Sequence, residues 1–82
     1  MNPTKPRKLE LGNRNLISKR VTEARLAQGM KQVELLAKLQ LAGIDIDKNA
    51  IQRIECGKRF VTDIELKAFA EIFGVSFDAL VF

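Results

Sequence analysis

The sequence predicts an all-α fold, a compact bundle of five short helices. Apolar residues recur at spacings of three and four in successive stretches, the signature of helices with one buried face. Those stretches are bounded by residues that start or stop helices: Asp47, Thr62 and Ser76 ahead of them, Gly29, Gly43, Gly57 and Gly74 behind. No segment of useful length alternates apolar with polar as a half-buried strand does, and there is no internal repeat or low-complexity run.

Residues 1–14 hold both prolines, Gly12 and several cations without any apolar period, and read as a loose basic arm ahead of a domain spanning 15–82. Lys5, Arg7 and Lys8 can follow a phosphate backbone or a minor groove, or have no such role. Helix one is expected over Asn15–Gln28, with Ile17, Val21, Ala24 and Gln28 on its inner face, Leu26 beside them and Gly29 closing it. Lys19 and Arg20 point outward. Arg25 falls nearer the inner side, where a charge requires a buried partner.

Helix two is expected over Gln32–Leu41, with Val33, Leu35, Leu36 and Leu39 facing the core and Met30 packing just ahead of it. Ala42-Gly43-Ile44-Asp45-Ile46 breaks the period, and Asp47 opens helix three. In that helix Ile51 and Ile54 share one face while Lys48, Asn49, Gln52 and Arg53 take up the rest. Asp47 is suited to the N-cap and Gly57 to the left-handed residue after the end. Thr62-Asp63-Ile64-Glu65 is a capping box, and helix four carries Leu66, Phe69, Ala70 and Phe73 on one face with Gly74 after it. Ser76 caps a last short helix bearing Phe77, Leu80, Val81 and Phe82.

Composition narrows the chemistry. A single cysteine and no histidine exclude an internal disulfide and leave no usual zinc or iron–sulfur ligand set, so neither metal nor cofactor is expected. A chain of 82 residues removes only about 60% of its unfolded surface from water, which makes for one small core. No apolar run approaches the length of a membrane span, and the N-terminal Met-Asn-Pro-Thr-Lys-Pro-Arg-Lys lacks an apolar stretch behind its charges, so a cytoplasmic protein is expected. The net charge of +4 is unevenly distributed: +6 over residues 1–31, +1 over 32–59 and −3 over 60–82. A basic end and an acidic end suit an oriented approach to a polyanion, although basic arms often serve solubility alone.

The outer residues of helix three sharpen that reading. Arginine pairs with guanine O6 and N7, and asparagine or glutamine with adenine N6 and N7, each through two hydrogen bonds. Short amphipathic helices with polar outer faces are more often only solvated, so the flanking residues matter.

Those flanks resemble the Cro and phage-repressor type of helix-turn-helix domain, the XRE family, from about Ile17 to Leu80. The similarity rests on Arg25 followed by Gly29, on Gln32 opening helix two, and on Ile51-Gln52-Arg53-Ile54-Glu55-Cys56-Gly57-Lys58. It continues through Leu66, Phe69-Ala70, Phe73-Gly74-Val75-Ser76 and Leu80. The resemblance implies that Lys48, Asn49 and Arg53 contact bases of double-stranded DNA, with Gln52 as a fourth. It implies that Gln32, assisted by Lys31, holds a phosphate at the start of helix two, and that Lys58 and Arg59 grip the backbone. Arg25 and Glu55 match a structural ion pair tying helix one to the end of the recognition helix. The chain departs from the family in three places. The link between helices two and three is about five residues longer than the usual turn. Leu36 stands where a small residue is usual at the helix crossing, and Asp45 lies beside the expected DNA surface.

The function expected on this reading is that of a sequence-specific transcriptional regulator, a repressor, with helix 47–55 in the major groove. A homodimer is expected through the C-terminal helix, using Phe77, Val81 and Phe82. The alternative is a protein-interaction module or an antitoxin-like helix-turn-helix protein with weak or no DNA binding. An enzyme would need a nucleophile–base pair, a metal set or paired carboxylates, and the chain has no histidine and only scattered acids. No small-molecule ligand is evident.

Overall fold

Among the described residues five helices form, in the order α1 (Arg14–Ala27), α2 (Gln32–Leu41), α3 (Lys48–Glu55), α4 (Asp63–Phe73) and α5 (Phe77–Val81). This is a computed structural model, and it describes residues 14–81. The arm with Lys5, Arg7 and Lys8, and Phe82 at the other end, lie outside the described residues. Helix α1 packs against α3, α4 and α5, α2 against α3 and α4, and α4 against α5. The core comes from every helix: Ile17 and Val21, Leu35 and Leu39, Ile51 and Ile54, Leu66, Phe69 and Phe73, and Leu80 and Val81 are all buried. Phe69 and Phe73, one turn apart on α4, stack with ring centroids 6.0 Å apart.

Local chemistry sets the ends. The Asp47 carboxylate accepts from the Ala50 amide at 2.7 Å, capping α3. The Thr62 hydroxyl accepts from the Glu65 amide at 3.2 Å while Glu65 Oε1 accepts from the Thr62 amide at 3.0 Å, completing the box at α4. At α2 only the acid half of such a box exists: Glu34 accepts from the Lys31 amide at 3.4 Å, and a lysine side chain has no acceptor to return. Ser76 Oγ accepts from Ala79 at the start of α5. Gly74 ends α4 at φ 67°, a left-handed backbone that a side chain disfavours.

Several inward assignments need correction. Helix α1 runs Arg14–Ala27, so Gln28 lies just past its end, where its Nε2 donates to the Phe73 carbonyl at 2.6 Å. Val33, expected in the core, is 57% exposed. Leu35 and Leu39 define the buried edge of α2, and Val33 lies roughly 120° around the cylinder from Leu39, on the flank that neither α3 nor α4 covers. Leu36 is half-buried against the core and Leu26 is exposed.

The C-terminal helix also differs from expectation. Val81 is 1% exposed and Leu80 2%, so the side of α5 that was to meet a second subunit is spent on the chain's own core. Phe77, the other expected dimer residue among those described, is 38% exposed. Helix α5 closes the bundle against α1 and α4 through Leu80 and Val81, and Val81 is therefore not available to a second subunit.

The long link after α2 is anchored. Ile46 is buried, Ile44 is half-buried, and Gln40 Nε2 donates to the Ile46 carbonyl at 3.4 Å. Asp45 is exposed. The extra residues thus plug one more isoleucine into the core immediately before α3 and hold the start of that helix.

Candidate nucleic-acid interface

Helix α3 is eight residues long, too short to persist on its own in water, so its position depends on what holds it. Ile51 and Ile54 moor its inner face. Its last residue is held more firmly still. Arg25 Nε donates to Glu55 Oε2 at 2.7 Å and Arg25 Nη2 to Glu55 Oε1 at 2.9 Å, a forked pair whose side chains are only 12% and 7% exposed. The third guanidinium nitrogen, Nη1, donates to the Met30 carbonyl at 2.8 Å. Gln32 Nε2 donates to Glu55 Oε1 at 3.0 Å, and the Ser18 hydroxyl donates to the Glu55 backbone carbonyl. One residue at the end of α3 therefore gathers donors from both α1 and α2.

With that side secured, the other faces outward. Lys48, Asn49, Gln52 and Arg53 are all exposed, and none of their side chains makes a hydrogen bond or ion pair among the described residues. Asn49, Gln52 and Arg53 line a shallow cleft of about 370 Å³ together with Cys56 and Lys58, so the turn after α3 continues the same surface. Lys31 is exposed at the N-cap of α2, a helix that packs on α3. The free amides and positive end of a helix favour an anion there.

Two residues expected to touch phosphate are otherwise engaged. The Gln32 amide is bound to Glu55, as above. Arg59 turns back onto α4: Nη1 donates to Glu65 Oε1 and Nη2 to Glu65 Oε2, both at 2.9 Å, and Nη1 also reaches the Phe60 carbonyl at 3.2 Å. A buried carboxylate at the first turn of α4 captures the nearest guanidinium. Arg59 consequently titrates above its ordinary value, first through its hydrogen bonds with Glu65, then, against an opposing effect of burial, through the charges of Glu65 and Asp47. Spacing alone did not reveal this clasp, because Glu65 already had a role as the capping acid. Ser18 was also missed, and its only signal is a polar residue next to Ile17 on an inward face.

Burial is the largest single influence on Glu65 and acts to raise its pKa. The Arg59 hydrogen bonds and charge, with the contacts from Thr62, together outweigh it and leave the carboxyl below its ordinary value. A folded-state value below the unfolded one means that the unfolded chain takes up the proton first on acidification. The stabilisation is therefore complete above the ordinary carboxylate value of about 4.3 and disappears as pH falls through the lower folded value. Acid unfolding followed by circular dichroism should show a steep loss in that window, and Glu65→Gln should flatten it. An unchanged acid limb in Glu65→Gln would remove the clasp from the stability of the fold.

This short helix, anchored on one side and polar on the other, is the arrangement of a helix-turn-helix protein. A protein-family model described as Helix-turn-helix matches residues 21–80. The chain belongs to that family, the XRE or lambda-repressor-like helix-turn-helix proteins, which are DNA-binding transcription regulators. Comparison with curated proteins found no match, and neither did comparison with solved structures. Among the described residues no helix is long and apolar enough to cross a membrane, and no cluster of side chains could hold a metal ion.

Proposed function

We propose that this chain is a sequence-specific repressor of transcription that lays α3 in the major groove of double-stranded DNA. The observation that carries the proposal is the division of α3 into an inner edge held by Ile51, Ile54 and Glu55 and an outer edge of four uncommitted side chains. Arg53 suits guanine, Asn49 and Gln52 suit adenine, and Lys48 supplies a further donor to a base edge. Lys31 at the α2 N-terminus and Lys58 after α3 are the phosphate contacts. Gln32 acts from beneath by aligning Glu55, and Arg59 by bracing the turn against Glu65. Repression needs only occupancy of a promoter, which this surface can supply, and the protein would act in the cytoplasm, where the DNA of such regulators lies.

Binding of the full chain to DNA upstream of its own gene, measured by anisotropy at several salt concentrations, tests this. Arg53→Ala should lower discrimination between the preferred site and a scrambled one by about 1–3 kcal/mol, roughly 5- to 150-fold. Lys58→Ala should weaken all sequences alike and reduce the log–log salt slope by about 1. Arg53→Ala with unchanged affinity and unchanged preference would remove α3 from the DNA.

A further inference from the structure

We infer that Glu65 withholds Arg59 from DNA, so that the turn after α3 offers the phosphate backbone one cation, Lys58, where its sequence carries two. The inference rests on the reading of α3 as the DNA-contacting helix, and adds to it a residue that sets how strongly any duplex is held. Lys58 stands on a shared rim. It lines the cleft with Asn49, Gln52, Arg53 and Cys56, and also a second hollow of about 320 Å³ with Arg59, Phe60 and Thr62. Arg59 therefore borders the proposed DNA surface, and its side chain is 32% exposed, open enough to turn toward a phosphate.

Its bonds hold it elsewhere. Both terminal guanidinium nitrogens donate to the Glu65 carboxylate at 2.9 Å, and Nη1 also reaches the Phe60 carbonyl. The Glu65 side chain is only 10% exposed, and its Oε1 further accepts from the Thr62 amide, which fixes the carboxylate at the start of α4. If Arg59 left, a buried carboxylate would lose the cation paired with it, which is strongly unfavourable. A phosphate at the surface offers in return a contact screened by water and salt. The forked, part-buried pair is the stronger of the two, so Arg59 stays on Glu65 when DNA arrives. The charge of Asp47, the α3 N-cap, also acts on Arg59 and further offsets its positive field. Phosphate contacts carry the sequence-independent share of affinity. Removing one cation from the turn thus loosens the hold on every duplex and leaves base discrimination to α3.

Anisotropy titrations of the full chain across a salt series, with the duplex from upstream of its own gene and a scrambled one, test the inference. Glu65→Gln keeps an acceptor for the Thr62 amide but removes the charge that holds Arg59. It should bind both duplexes about five- to tenfold more tightly at roughly 0.1 M salt, with a log–log slope steeper by about 1. The double variant Arg59→Ala with Glu65→Gln should show neither change. In the unmodified chain the side-chain NMR resonance of Arg59 should stay in place when DNA is added, a measurement independent of how any variant folds. Glu65→Gln binding no more tightly than the unmodified chain overturns the inference. So does a gain that survives in the double variant, or an Arg59 resonance that moves with DNA. An unmodified chain that binds neither duplex at low salt overturns the DNA reading itself, and the inference with it.

Discussion

Glu55→Ala should destabilise the fold by about 3–5 kcal/mol, the usual consequence of removing one member of a buried ion pair. The substitution strands three donors at once: Arg25 Nε and Nη2, and the Gln32 amide, all of which converge on the lost carboxylate. Arg25 cannot swing out to water without also giving up its bond to the Met30 carbonyl. For 82 residues the whole stability is about 4–12 kcal/mol, so the loss is a large fraction of the total. Urea titration measures this directly. The double variant Arg25→Ala with Glu55→Ala should lose less than the sum of the single variants, because it leaves no unpaired charge. A loss below about 1 kcal/mol in Glu55→Ala would mean that the pair behaves as an ordinary surface contact.

Ile51→Ala should cost about 2–5 kcal/mol, since its side chain is fully buried and neighbouring helices can close the resulting cavity only in part. The effect should be uneven across the molecule. Helix α3 has eight residues and no independent stability, so the amides of 51–55 should lose hydrogen-exchange protection before those of α4 do. Protection that falls equally in both helices would show that α3 and α4 unfold as one unit and that Ile51 has no particular hold on α3.

The sequence was most informative where backbone chemistry and period agree. The cap at Asp47, the box at Thr62 and Glu65, and the left-handed Gly74 put the ends of α3 and α4 where the structure has them, because capping is a local interaction among residues a few positions apart. Arg25 was legible for the opposite reason: a charge on an inward face has few solutions. Side-chain direction beyond the helices was harder to read. Arg59 in a turn could reach DNA or Glu65 with equal ease on paper, and only the folded path of the chain brings it to α4. Val33 and Val81 show the limit of period alone. Both are valines on amphipathic helices, yet one is left bare and the other sealed, because periodicity marks a face without revealing what covers it.

The separation of duties on α3 has a consequence for how such a protein can change over time. What keeps the helix in place lies at Ile51, Ile54 and Glu55, and what can address a target lies at Lys48, Asn49, Gln52 and Arg53. Substitutions in the second group touch none of the contacts that hold the first, so lineages carrying this scaffold can change the outer face of α3 without passing through an unstable intermediate.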